Sequence, residues 1–217
     1  MKTLLTIFLL IIFSIFLQNS FAQLKEIRTP YFSGMIGTST IASSEYEKSQ
    51  NSIGTAFAIG FGLPVYKSLS LYSKAGYISK PDFSAYQVLN YSQNGITINN
   101  ELTELNASFS QLIFNFGLEY NLFLSEQIKL GLNGGVSYSL INQESRFKNG
   151  QLFSRLNNDG VFGYFGGASL EKGFTDSSFS LFLEAQYNYA NKNAVFYRTA
   201  FSGMNYSIGV KYYLGGD

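Results

Sequence analysis

Ile128-Lys-Leu-Gly-Leu-Asn-Gly-Gly-Val-Ser-Tyr-Ser-Leu140 is a stretch in which side chains of two kinds alternate. Its even positions are nearly all apolar, whereas its odd positions are small or polar. A period of two is typical of a β-strand whose two faces meet different surroundings. About ten such residues are long enough to cross a bilayer as a tilted strand. Because lipid offers no partner to an unpaired strand edge, a spanning strand of this kind must belong to a closed sheet.

The same alternation recurs along the chain and predicts eight strands. They cover residues 31–41, 53–63, 69–78, 108–122, 128–140, 161–171, 179–189 and 204–214. The second strand is the clearest, with Phe57 and Phe61 on a bulky face opposite a face of Gly and Ala, and Pro64 is expected to end it. The connections alternate between long and short. The sequence therefore predicts an all-β fold, an eight-stranded antiparallel up-and-down transmembrane β-barrel with both termini at its short-turn end.

The N-terminus has the features of an export signal. Lys2 provides a positive charge, residues 4–17 are apolar, and small residues lead to Ala22. The apolar run is shorter than the roughly 20 residues that a membrane-spanning helix needs. We therefore expect residues 1–22 to be a cleaved signal peptide and residues 23–217 to form the barrel domain.

Composition excludes several classes of function. The net charge of +1 argues against nucleic-acid binding, which usually requires a basic excess. The chain contains no Cys and no His, so disulfides, zinc–thiolate sites and histidine chemistry are all excluded. Glu171 and Glu184 could form a carboxylate pair, but no nucleophile accompanies them. We predict a protein that is not an enzyme, with no catalytic, cofactor-binding or metal site.

These features resemble the small eight-stranded outer-membrane β-barrels of Gram-negative bacteria, which include the membrane domain of outer-membrane protein A and outer-membrane protein X. The resemblance implies location in the cell outer membrane, in contact with its lipid and with lipopolysaccharide. The last strand is similar to the assembly signal that such barrels present to the barrel-insertion machinery. Its residues here are Ser207, Gly209, Tyr212 and Leu214. The enzymes of this membrane with barrel folds, such as lipid A deacylases and omptin-type proteases, depend on a histidine that this chain lacks.

Six charged residues fall on the predicted inner faces, three of each sign. They are Lys74, Glu119, Lys129, Glu171, Glu184 and Lys211. An eight-stranded barrel is only wide enough for its side chains to fill. These residues are therefore expected to form an internal charge network, with a narrow polar channel as the alternative. With the turn centred near Leu124, Glu119 and Lys129 are expected to pair across their hairpin.

Four long polar loops are predicted, at residues 43–51, 80–106, 141–160 and 191–202. Binding residues tend to lie on loops held by a rigid scaffold. The candidates for contacts with a surface ligand or with the phosphates of lipopolysaccharide are Tyr86, Tyr91, Arg146, Lys148, Arg155 and Arg198. Solvated loops with no particular partner are an equally good interpretation.

We predict a non-enzymatic outer-membrane barrel with a structural or surface-interaction role through its extracellular loops. One alternative is a soluble periplasmic or secreted barrel similar to a lipocalin, in which the bulky apolar face points inward around a small hydrophobic ligand. Another is a narrow pore. The glycines and alanines of residues 53–63 argue against the lipocalin-like alternative, because they suit a solvent-facing surface poorly.

Overall fold

The structure, a computed structural model, describes residues 29–40, 53–93, 96–174, 177–193, 198–200 and 202–214. The predicted signal peptide lies outside these residues. The described elements are the strands β1 (Tyr31–Thr40), β2 (Ile53–Tyr66), β3 (Leu69–Gln93), β4 (Ile96–Phe123), β5 (Ile128–Phe147), β6 (Leu152–Gly173), β7 (Phe179–Asn193), β8 (Arg198–Ala200) and β9 (Gly203–Tyr213).

Eight of these strands close into an antiparallel barrel. Strands β1 to β7 pair in sequence order, from β1 with β2 to β6 with β7. β7 then pairs with β9, and β9 pairs with β1 to complete the cylinder. The short β8 pairs only with the end of β7. The predicted eight-stranded antiparallel barrel is therefore confirmed.

The prediction of long loops at residues 80–106 and 141–160 is wrong. These residues continue the barrel strands as hairpins, with Gln93 paired to Ile96 at the end of one and Arg146 paired to Leu152 near the end of the other. Strands β3 to β6 therefore project beyond the rest of the barrel as one sheet. Polar residues on both faces hide the alternation there, which is why the sequence pattern gives no strand signal.

Pro64 does not end β2, contrary to the prediction. The strand continues to Tyr66, and the pairing register shifts between Pro64 and Tyr66. An irregularity of this kind accommodates proline, because its missing N–H breaks no regular ladder bond. Residues 67 and 68 then form the turn, with Lys67 at a positive φ of 44°.

The barrel is polar inside and apolar outside. Among the described residues, 24 polar or charged side chains are buried, against 13 hydrophobic ones. Large hydrophobic side chains instead cover the outer face, and Phe162 is 80% exposed while Ile59 is 69% exposed. This inversion of the usual arrangement of a soluble protein follows directly from the alternation along each strand.

Gly62 provides the space for the aromatic ring of Tyr31 on the inner face of the barrel. The side chain of Tyr31 lies over this glycine, and a Cβ there would be 2.1 Å from a ring carbon. Tyr31 is 2% exposed and donates a hydrogen bond to the Glu119 carboxylate. A substituent at position 62 would therefore displace a ring that is held on both sides.

We predict that Gly62→Ala lowers the free energy of unfolding by about 1–3 kcal/mol, because the methyl group overpacks the inner face. Gly34→Ala is the matched control, since a Cβ at Gly34 meets no atom within 4 Å. Urea titration of the folded barrel in detergent measures both. Equal stability of the two variants would contradict the account of the Tyr31 ring.

Candidate functional site

Four of the predicted inner charges form one cluster near the short-turn end of the barrel. The Nζ atom of Lys211 lies 3.1 Å from Glu119 Oε1 and 3.0 Å from Glu171 Oε2. Lys129 Nζ lies 2.7 Å from Glu171 Oε1. The two lysines and two glutamates thus neutralise each other, which offsets much of the cost of burying them.

Tyrosine and serine hydroxyls complete this cluster. Tyr31 donates to Glu119, Tyr213 donates to Glu171, and Ser180 Oγ lies 2.7 Å from Glu171 Oε1. The ammonium group of Lys211 also lies 4.3 Å from the centroid of the Tyr31 ring, within the range of a cation–π contact. The carboxylates therefore have hydrogen-bond donors as well as cations, as buried charges require.

The other two inner charges form a separate pair farther along the lumen. Lys74 Nζ lies 2.6 Å from Glu184 Oε1. The second oxygen of Glu184 accepts hydrogen bonds from Tyr72 and Asn133, at 3.2 and 3.3 Å. The structure thus places all six charged residues on the inner face and divides them into a group of four and a group of two.

The expected pairing of Glu119 with Lys129 is wrong. Glu119 lies opposite Asn133 in the β4–β5 ladder, and Lys129 lies opposite Phe123. The pairing is centred on residue 126, two residues beyond the expected position near Leu124, which moves the partner of Glu119 by four residues. Lys129 instead contacts Glu171, its neighbour in the β5–β6 ladder.

An amide layer and an apolar layer fill the rest of the lumen toward the hairpin end. Asn115 donates to Gln186 and to Asn188, at 3.0 and 3.1 Å. Beyond the amides lies a cluster of buried apolar side chains, namely Ile78, Phe109, Ile113, Ile141, Val161 and Ala190. The lumen thus has its charged cluster near the short-turn end and an apolar cluster, next to buried Gln111 and Lys80, toward the hairpin end.

The cavities between these layers are small. The one beside Asn115 and Lys74 has a volume of about 30 Å³, and the one beside Ser39 and Gln111 about 10 Å³. Such volumes hold a water molecule or two but no lipid-sized ligand. Within the described residues, no group of three or more Asp and Glu side chains could hold a metal ion. The same part of the chain contains no helix long and apolar enough to cross a membrane.

The basic residues of the projecting sheet are paired with carboxylates. Lys148 Nζ lies 2.6 Å from Glu104 Oε2, and both Arg146 and Arg155 contact Glu144, the latter at 3.7 Å. The hydrogen bond from Lys148 holds the pKa of the Glu104 carboxyl below its usual range. An anionic ligand of these cations would therefore compete with a neighbouring carboxylate.

The other candidates for surface contacts lie in strands rather than loops. Tyr86 and Tyr91 belong to β3, and Arg198 belongs to β8. Their side chains lie outside the part of the chain that the structure describes. Between the hairpins, Leu105 is fully buried against partly buried Phe147 and Phe153, so the projecting sheet has a small core of its own.

Three residues of the predicted assembly signal lie on β9, the strand that closes the barrel, and Leu214 directly follows it. β9 pairs with β1 on one side and with β7 on the other. Ser207 and Gly209 are on its inner face, whereas Tyr212 and Leu214 are on the outer face. Tyr212 is 42% exposed and Leu214 39% exposed. The arrangement leaves a polar and an apolar face at the C-terminal end of the chain.

Sequence reasoning missed the tyrosines of the charge network and the apolar layer of the lumen. Both follow the same alternation that located the charges, because Tyr72, Lys74 and Ile78 share one face of β3. The phase of the predicted strand 108–122 already places Phe109 inside, and extending the period of two by one residue beyond residue 140 would have placed Ile141 inside as well. No periodic pattern in the sequence predicts which of these inner side chains contact each other across the lumen.

No family model matches the chain, and no curated protein matches its sequence. Solved structures do match its fold. They include the attachment invasion locus protein Ail of Yersinia pestis, 8% identical over 87% of this chain and 98% of that chain, with a TM-score of 0.50. A major outer membrane protein of Thermus thermophilus is 10% identical over 85% and 99%, with a TM-score of 0.50. The outer membrane protein OprG of Pseudomonas aeruginosa is 11% identical over 89% and 99%, also with a TM-score of 0.50. The chain thus has the fold of the small eight-stranded outer-membrane β-barrels.

We predict that Lys211→Met lowers the free energy of unfolding by about 3–5 kcal/mol, because it leaves Glu119 buried without a cation. Adding Glu119→Gln to this variant should restore much of the loss, since the uncompensated charge is removed. Arg146→Gln, which breaks an exposed pair, should cost about 1 kcal/mol or less. Urea titrations of the three variants give the comparison. A double variant no more stable than Lys211→Met would contradict the role assigned to this pair.

Proposed function

We propose that this chain is an integral β-barrel of the bacterial outer membrane with a non-enzymatic, structural or surface-interaction role. The observation that carries the proposal is the inversion of polarity. Thirty large hydrophobic side chains of the described residues are exposed on a barrel whose buried polar residues outnumber its buried hydrophobic ones. A monomer in water rarely exposes so large an apolar surface. Lipid is the solvent that suits such a barrel.

The interaction surface is the sheet that β3 to β6 form beyond the barrel. It continues hairpins whose barrel portions are rigidly paired on both sides, so it is held at a fixed place above the barrel. Its exposed cations, including Arg146, Lys148 and Arg155, are the groups that would meet an anionic surface ligand or lipopolysaccharide. Positions of this kind on a stable scaffold are where binding usually evolves.

No observation favours the alternatives. A lipocalin-like carrier needs a large apolar cavity, whereas the inner face is mainly polar and the cavity beside Asn115 measures about 30 Å³. A pore needs a continuous path, whereas side chains of three chemical types fill the lumen. For enzymatic action, no histidine is present in the chain to act as general base.

Export and assembly are part of the same proposal. Residues 1–22 direct the chain out of the cytoplasm and are removed, and the C-terminal segment containing Ser207, Gly209, Tyr212 and Leu214 is presented to the barrel-insertion machinery. We predict that the protein isolated from cells begins at Gln23, because small residues precede that position. Intact-mass measurement and N-terminal sequencing check this. A mature chain that retains Leu4 to Leu17 would contradict the cleaved signal.

Membrane location and orientation are tested with epitope insertions at the two ends of the barrel. An epitope placed at residues 94–95, between β3 and β4, should be reached by antibody on intact cells. An epitope in the turn at residues 124–127 should be reached only after the outer membrane is permeabilised. Both proteins should fractionate with the outer membrane and migrate faster on gels when unboiled, as a closed detergent-resistant barrel does. Recovery in the soluble periplasm without that shift would contradict the proposal.

A further inference from the structure

The outer face changes from apolar to polar at one height on three adjacent strands. The last apolar row of cross-strand neighbours consists of Tyr77, Leu112 and Leu140. The next outward-facing row consists of Ser79, Ser110 and Asn142. Beyond it, Ser108 lies opposite Glu144, which lies opposite Arg155. A sharp boundary of this kind marks where the apolar belt ends.

The first polar row lies at the depth of lipid headgroups, and the row of Glu144 and Arg155 lies one step farther out. Two residues along a strand advance about 7 Å, and somewhat less along the axis of a tilted barrel. The headgroup region on each side of a bilayer is about 5–7 Å thick. If the belt is in the hydrocarbon core, as the proposed function requires, then Ser79, Ser110 and Asn142 lie among the headgroups.

A pocket of about 370 Å³ is present on the outer face at this height. Its lining includes Tyr77, Ser79, Ser110, Asn142, Glu144 and Arg155. The pairing register is irregular on both sides of it, between Lys80 and Phe83 in β3 and between Ile141 and Gln143 in β5. Such irregularities bend a sheet and increase its local twist. The pocket thus forms where the sheet departs from the regular barrel.

The pocket combines hydroxyl and amide groups with an incompletely paired cation. Arg155 Nε lies 3.7 Å from Glu144 Oε2, and the same carboxylate also binds Arg146. One carboxylate therefore serves two guanidinium groups, so this trio has a net positive charge. The side chain of Arg155 is 59% exposed, which leaves its remaining N–H donors accessible to a ligand.

We propose that this pocket binds the phosphate- and hydroxyl-bearing headgroup of a surrounding membrane lipid, with Arg155 on the phosphate and the serine and asparagine side chains on the hydroxyl groups. The inference rests on the proposed membrane location. Guanidinium groups match phosphate geometry, and hydroxyl and amide groups match sugar hydroxyls. Lipopolysaccharide has both chemistries in its headgroup, and the aromatic ring of Tyr77 lies at the level where its acyl chains would begin.

The test uses the mature full-length protein in nanodiscs of phosphatidylcholine containing a small fraction of lipopolysaccharide. After mild detergent extraction, native mass spectrometry counts the lipopolysaccharide retained per protein. Arg155→Gln should reduce retention about tenfold, because a charge-assisted hydrogen bond to phosphate is lost. Ser110→Leu should reduce it similarly by filling the pocket without changing charge. Arg155→Lys should keep part of the retention.

Lys172→Gln is the matched control, because it removes an equal charge at an exposed position near the short-turn end of β6, outside the lining of the pocket. It should retain lipopolysaccharide as the unmodified protein does. Equal retention by all variants, or a loss in Lys172→Gln equal to that in Arg155→Gln, would overturn the assignment. Displacement of the lipid by free glucosamine phosphate at low concentration would also overturn it, in favour of a soluble ligand.

The gel shift on boiling separates this inference from the proposed function. Every variant compared must show the shift, which demonstrates a closed barrel, and must remain in the nanodisc. A protein that fails to insert contradicts the proposed membrane location. A protein that inserts but retains no lipopolysaccharide through Arg155 contradicts only the headgroup site.

Discussion

The ammonium group of Lys211 joins distant walls of the barrel through the carboxylates of Glu119 and Glu171. Lys211 lies on β9, the strand that closes the cylinder, whereas the two glutamates lie on β4 and β6. An isolated charge in this enclosed lumen would be strongly unfavourable, but matched charges with donors from Tyr31 and Tyr213 are tolerated. The pairing of β9 that closes the barrel and the neutralisation of the buried glutamates therefore depend on each other.

The lumen is filled in layers because its residues differ in size and polarity along the axis. Glycines such as Gly62 leave space for rings such as that of Tyr31, and the charged cluster occupies the short-turn end. Amides around Asn115 and the apolar side chains around Ile113 follow toward the hairpin end. Such a packed interior leaves the outer surfaces, including the projecting sheet and the polar rows beneath it, as the parts of the barrel that a partner can reach.

Alternation along the strands predicted which face each side chain occupies but not which residues meet. The alternation in residues 128–140 predicted the barrel portion of β5, its recurrence along the chain predicted the closed barrel, and the six inner charges were identified from strand phase alone. The pairing of Glu119 with Lys129 could not be predicted reliably, because a shift of two residues leaves every side chain on the same face. The contact of Lys211 with Glu119 is set by barrel closure, which brings residues 92 positions apart together. Beyond the apolar belt, the outward-facing side chains such as Arg146 are polar, and so are buried inner side chains such as Gln143 and Ser145, so the sequence there no longer alternates between polar and apolar residues.

The most direct test of the inverted barrel is quenching of a single tryptophan by lipids with brominated acyl chains. The chain contains no tryptophan, so each introduced reporter has no background. Phe116→Trp replaces a side chain that is 58% exposed on the outer face, and Phe165→Trp replaces one that is 4% exposed in the lumen. In vesicles, we expect strong quenching of the first and little of the second. Strong quenching at position 165 with protection at position 116, or no quenching at either, would contradict the inverted barrel in lipid.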